Sequence, residues 1–120
     1  MQKYSDKEIE LLSLQIGCVI KLERLKKGLS QEDIGLIIGT NSTMIGRIER
    51  AETLTSWQNL IRVCDAVGAN IKSLFDLKSL EDNLSLVDNC IRYEKKLTTE
   101  KQEYYNSLKK IFKKKYQTLK

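Results

Sequence analysis

The chain has 120 residues, 41% hydrophobic and 31% charged, which is enough for one compact domain plus an appendage. No apolar run approaches a membrane span, the N-terminus lacks a signal-peptide pattern, and histidine is absent, so neither membrane association nor histidine chemistry is expected. The net charge of +5 is unevenly held: ten Lys/Arg balance ten Asp/Glu through Leu77, whereas the remainder carries eleven against six.

A long first helix is expected near the N-terminus. Ser5 or Asp6 can cap it, and Ile9, Leu12, Ile16 and Ile20 mark one face. A second helix starts at Ser30, with Asp33 three residues on to complete a shortened capping box. Ile34, Ile37 and Ile38 recur at helical spacing and are expected inside, while Gly35 lets another helix pass close. Gly39 follows the last apolar residue, where a left-handed backbone is wanted. Asn41 is the natural N-cap of the third helix. Ile45 and Ile48 form its buried stripe, and Ser42, Thr43, Gly46, Arg47 and Arg50 are expected on the opposite, exposed side.

Two short helices joined by a sharp glycine turn are the geometry needed to push one helix into a DNA major groove. Gly28-Leu-Ser-Gln-Glu-Asp-Ile-Gly35, the turn at Gly39, and Ile45-Gly-Arg-Ile-Glu-Arg50 resemble the helix-turn-helix of the Cro/phage-repressor, or XRE, family. The likeness continues through Ser56-Trp57 to Gly68 and Asn70 to Phe75, and backwards through Ile16-Gly17, Ile20-Lys21 and Arg24. It covers residues 12 to 76 and implies an all-α fold, a five-helix repressor-like domain over residues 1–77.

At matching positions the resemblance implies particular roles. Ser42, Thr43, Gly46 and Arg47 correspond to the base-reading face. Gln31 corresponds to a glutamine that binds backbone phosphate, and Asn41, Arg50, Ser56 and Trp57 lie where further phosphate contacts are expected. Arg24 and Glu49 match an internal salt bridge. The chain departs from the pattern in the loop Ala51-Glu-Thr-Leu-Thr55, which is usually basic and glycine-led, at Glu23, where a small or apolar residue is usual, and at Gly46, which costs about 1 kcal/mol against alanine within a helix.

After Phe75 the resemblance ends but helical character continues. Leu77, Leu80, Leu84, Val87 and Ile91 recur in a three-four pattern that suits packing against another helix. A break falls at Leu97-Thr98-Thr99-Glu100, and Thr99 with Gln102 offers a capping box for the next helix. Tyr105, Leu108, Phe112 and Leu119 follow on one face. Residues 78–120 thus read as a helical hairpin, whose seams need either the first domain or a second chain to cover them. As a dimerisation region the tail would use Leu80, Leu84, Val87, Ile91, Tyr105, Leu108 and Phe112. Lys109, Lys110, Lys113, Lys114 and Lys115 read as a solvated face, and are the residues to suspect if the tail does reach phosphate.

Cys18, Cys64 and Cys90 are odd in number, and no pair has metal-ligand spacing, so they read as small buried hydrophobes in a reducing compartment. No phosphate loop and no cysteine with a base beside it is present, so neither an enzyme nor a cofactor or metal site is expected. The reading is a sequence-specific repressor of double-stranded DNA, cytoplasmic, bacterial or phage-encoded, acting as a homodimer on an inverted repeat. The alternative is an antitoxin or interaction module whose tail captures a protein.

Overall fold

The computed structural model describes residues 4–52 and 55–119. Among them the chain forms seven helices and no strand: α1 (Asp6–Lys26), α2 (Gln31–Ile38), α3 (Ser42–Glu49), α4 (Trp57–Val67), α5 (Ile71–Leu74), α6 (Leu80–Tyr93) and α7 (Thr99–Gln117). The fold is therefore all-α, with five helices followed by a helical hairpin.

Short polar side chains start these helices. The Ser5 hydroxyl accepts from the Glu8 amide while the Glu8 carboxylate accepts from the Ser5 amide, which closes a capping box. Ser30 and Asp33 repeat the arrangement on α2, and the Ser30 hydrogen bonds hold the Asp33 carboxyl below its usual range. α7 begins one residue earlier than the expected Thr99 cap. The Thr98 hydroxyl accepts from the Lys101 amide, and Thr99 becomes the first helical residue. Adjacent threonines offer the same chemistry, so sequence alone does not separate them.

Two apolar clusters share α1. Ile20, Ile34, Ile45, Ile48, Val63 and Val67 fill the first, among α1 to α4. Leu11, Cys18 and Leu22 of α1 enter the second with Leu86, Val87 and Cys90 of α6 and Tyr105, Leu108 and Phe112 of α7. The expected stripe of α1 is thus half of its buried surface. Ile9, expected on that stripe, is half exposed, and Ile37 of α2, expected inside, is 60% exposed. α2 needs only Ile34, Ile38 and the bare face of Gly35 to meet its neighbours: a Cβ on Gly35 would lie 2.9 Å from the Asn41 carbonyl carbon.

The tail folds back on α1. Glu10 pairs with Lys115 at 2.6 Å near one end of α1, and the Lys21 ammonium lies 4.5 Å from the Tyr105 ring centroid near the other. α7 therefore runs antiparallel to α1. Val87, Tyr105, Leu108 and Phe112 are buried within the chain, and Leu80, Leu84 and Ile91 pack partly buried against the same cluster. The deepest face of α6 is Asn83, Leu86, Val87 and Cys90, rotated from the leucine seam that periodicity suggests.

Gln15 and Asn83, both fully buried, join the two halves. The Gln15 amide donates to the carbonyls of Asp76 (2.8 Å) and Leu74 (3.3 Å), and its oxygen accepts from the Lys78 amide (2.8 Å) and Asn83 Nδ2 (3.2 Å). Asn83 Nδ2 also donates to the Tyr116 hydroxyl at 2.8 Å. One side chain thus satisfies the backbone where α5 passes into α6. The three cysteines are buried thiols; burial pushes Cys64 up to about 11 and Cys90 up to about 12. Replacing Gln15 with leucine strands these carbonyls and the Lys78 amide. Gln15→Leu is expected to lower the unfolding free energy by about 1–3 kcal/mol, read from urea melts; an unchanged midpoint would refute the role given to Gln15.

Candidate nucleic-acid interface

α2 and α3 meet through a tight turn. Gly39 adopts φ 79°, ψ 32°, a left-handed conformation that glycine reaches without strain. Asn41 Oδ1 then accepts from the Met44 amide at 2.9 Å and starts α3. Ile45 and Ile48 anchor the inner face of α3, and Ser42, Thr43 and Arg47 are exposed on the outer one. Gly46, expected beside them on the surface, is instead buried. A Cβ there would meet Arg50 Nη1 at 2.9 Å and Gln31 Oε1 at 3.3 Å, so these two side chains occupy the space.

A buried ion pair fixes the tilt of α3. Arg24 donates to Glu49 through Nε at 2.6 Å and Nη2 at 3.0 Å, and its Nη1 donates to the Leu29 carbonyl at 2.9 Å. Both side chains are nearly out of solvent. Gln31 Nε2 donates to the same carboxylate at 3.0 Å. α1, α2 and α3 are therefore tied at one group, and Gln31 is held in place at the start of α2. The backbones also approach closely: a Cβ on Gly17 would lie 2.4 Å from the Glu49 carbonyl oxygen.

The remaining expected contacts surround this centre. Arg50 caps the end of α3 and pairs through Nε with Glu52 at 2.8 Å, and that hydrogen bond holds the Glu52 carboxyl below its usual range. The Ser56 hydroxyl accepts from the Asn59 amide at 3.1 Å and starts α4, with Trp57 exposed in its first turn. Ala51 takes φ 58°, with its amide donating to the Ile48 carbonyl and the Glu52 amide donating to the Arg47 carbonyl. That is the helix-ending arrangement in which glycine is the usual residue, and alanine holds it under strain. Thr53 and Leu54 of this loop lie outside the described residues.

Sequence patterning did not reveal that the tail borders this face. Thr98, Glu100, Lys101 and Tyr104 share a hollow with Gln31, Glu49 and Arg50, and Lys101 and Glu94 share another with Gln31 and Ser42. The pair Lys95-Lys96 beside the break at Leu97 was the available signal, but nothing local fixes where such a turn lands.

A capped helix pair with a rigid inner face and a short polar outer one is the geometry of a helix-turn-helix, the motif that DNA-binding proteins place in the major groove. Residues 20–74 match the family model described as helix-turn-helix, and this segment is a helix-turn-helix of the Cro/C1, or XRE, type. That match supports a DNA-binding transcription regulator. No curated protein and no solved structure gives a match. No helix among the described residues is long and apolar enough to cross a membrane.

Two stability outcomes follow from this geometry. Glu49→Ala leaves the Arg24 guanidinium buried without its carboxylate and is expected to cost about 3–5 kcal/mol in a chemical melt. Ala51→Gly relieves the left-handed strain and is expected to stabilise by about 1 kcal/mol; a loss on that substitution would contradict the strained conformation.

Proposed function

We propose that this regulator is a repressor that reads an inverted-repeat operator as a homodimer, with α3 of each copy in successive major grooves. The observation that carries the base-reading assignment is the exposure of Ser42, Thr43 and Arg47 on one face of α3, while the opposite face is fixed by Ile45, Ile48 and Glu49. Arg47 has the fork to bind guanine bidentately; Ser42 and Thr43 can bond several bases and discriminate less. Gln31, Asn41, Arg50, Ser56 and Trp57 would set the register by meeting phosphate oxygens around that helix. Gly46 would act indirectly, by admitting the Arg50 and Gln31 side chains against α3.

The dimer is supported by the small reach of one α3, eight residues long, which reads too few bases to select one site alone. Because Val87, Tyr105, Leu108 and Phe112 are buried within their own chain, the contact between copies falls to residues that the fold leaves outside. That burial also favours a DNA regulator over a module whose tail captures a partner protein.

Selection from a random duplex library with the full-length protein tests the assignment. Enrichment of an inverted repeat with half-sites about 34 Å apart is expected. Arg47→Ala should then lose about 1–3 kcal/mol at one base position of each half-site while leaving the melting temperature unchanged. Unaltered base preference and affinity in that variant would remove Arg47 from the reading face.

A further inference from the structure

We propose that the turn between α6 and α7 is a second phosphate-binding element, with Lys95, Lys96 and Lys101 contacting the DNA backbone beside the stretch that α3 reads. This deepens the DNA-binding reading above and rests on it. Lys95, Lys96 and Lys101 line one hollow with Arg24 and Ser30 at the start of α2. Lys101 also lines the hollows that hold Gln31 with Ser42 and Gln31 with Arg50. The turn therefore flanks the side chains expected to meet phosphate, although it lies more than forty residues later in the chain.

Two of these lysines, Lys95 and Lys101, are held in place. The Lys101 ammonium donates to Glu94 Oε1 and to the Lys96 carbonyl, each at 3.2 Å, and Lys95 donates to the Gly28 carbonyl at 3.4 Å. Glu94 is itself nearly buried and accepts from the Tyr105 hydroxyl. An ammonium has three donors, so Lys101 retains one for an incoming oxygen. Asp33 lines the first hollow and Glu32 and Glu100 border the others, which limits how much anionic charge the surface accepts and suits a flanking contact better than a deep anion site.

Charge distribution argues the same way. The chain through Leu77 is formally neutral, and its Arg50 is already paired with Glu52. Counterion release by bound cations supplies much of the affinity of a protein for duplex DNA, and the tail, which holds the whole excess, can add to what Arg50 supplies. The run expected to act if the tail met phosphate, Lys109 to Lys115, lies toward the other end of α7. There Lys109 pairs with Asp88 and Lys115 with Glu10. Twelve helical residues separate Lys101 from Lys113, about 18 Å along the axis.

The test compares the full-length protein with K95Q/K96Q and with the charge-matched K113Q/K114Q, on duplex selected by the unmodified chain. Affinity is measured between about 50 and 200 mM salt, where each phosphate contact contributes about 0.9 to the log–log slope. The expected result for K95Q/K96Q is a slope shallower by about 1–2, unchanged base preference, and loss of hydroxyl-radical protection at the outer flank. K113Q/K114Q is expected to keep the slope. A K95Q/K96Q slope and footprint equal to those of the unmodified protein overturns the inference, and so does an equal loss in both variants, which bulk charge would explain. If the unmodified protein selects no duplex, the DNA reading itself fails first and the inference falls with it.

Discussion

Everything in this fold depends on α1 having two apolar faces. Ile16 and Ile20 turn toward α2, α3 and α4, while Leu11, Cys18, Leu22 and, partly buried, Leu14 and Leu25 turn toward α6 and α7. A helix apolar on both sides must be covered on both sides. The five-helix domain covers only one of them. The hairpin is therefore part of the same hydrophobic solution, and its burial of Phe112 and Tyr105 is what makes the second apolar face of α1 tenable in water.

Against that apolar background, the Arg24–Glu49 pair contributes orientation more than stability. Desolvating two charges roughly offsets their attraction, and a hydrophobic pair of similar volume would hold α1 to α3 at least as well. A bidentate fork, however, accepts only one approach angle. With Gln31 bound to the same carboxylate, the start of α2 and the axis of α3 are set by one group. The Gln31 amide carries two N–H donors, and the one given to Glu49 fixes where the side chain sits at the start of α2.

Local chemistry was the legible part of this chain. The caps at Ser5, Ser30, Asn41 and Ser56 and the left-handed Gly39 all follow from short polar or glycine residues at the edge of apolar periodicity. Position relative to distant segments was not legible. Gln15 reads as a surface residue between Leu14 and Ile16, and becomes a buried junction because the chain at Leu74 to Lys78 passes over it. The leucine repeat of α6 pointed to a seam, yet Asn83 and Cys90 lie deeper, since the Gln15 amide and the narrow approach to Cys18 select small or polar partners there. The candidate site divided the same way: the exposed face of α3 follows from its own periodicity, whereas the tail beside it and the covering of Gly46 arise from folding back.

Burial also separates two arginine–carboxylate pairs that look alike in sequence. Arg24–Glu49 is sealed, so neither member can leave without stranding the other. Arg50–Glu52 is about half exposed on both sides, and water and salt screen such a pair. In the proposed complex Arg50 would exchange this carboxylate for a phosphate at little cost, with Glu52 turning to water. The exchange releases the guanidinium only where an anion of comparable charge is presented at the end of α3. The same two residue types thus hold α3 still in one place and leave its outer end freer in another, and the difference lies in solvent access and in the extra hydrogen bonds from Arg24 to Leu29 and from Gln31 to Glu49.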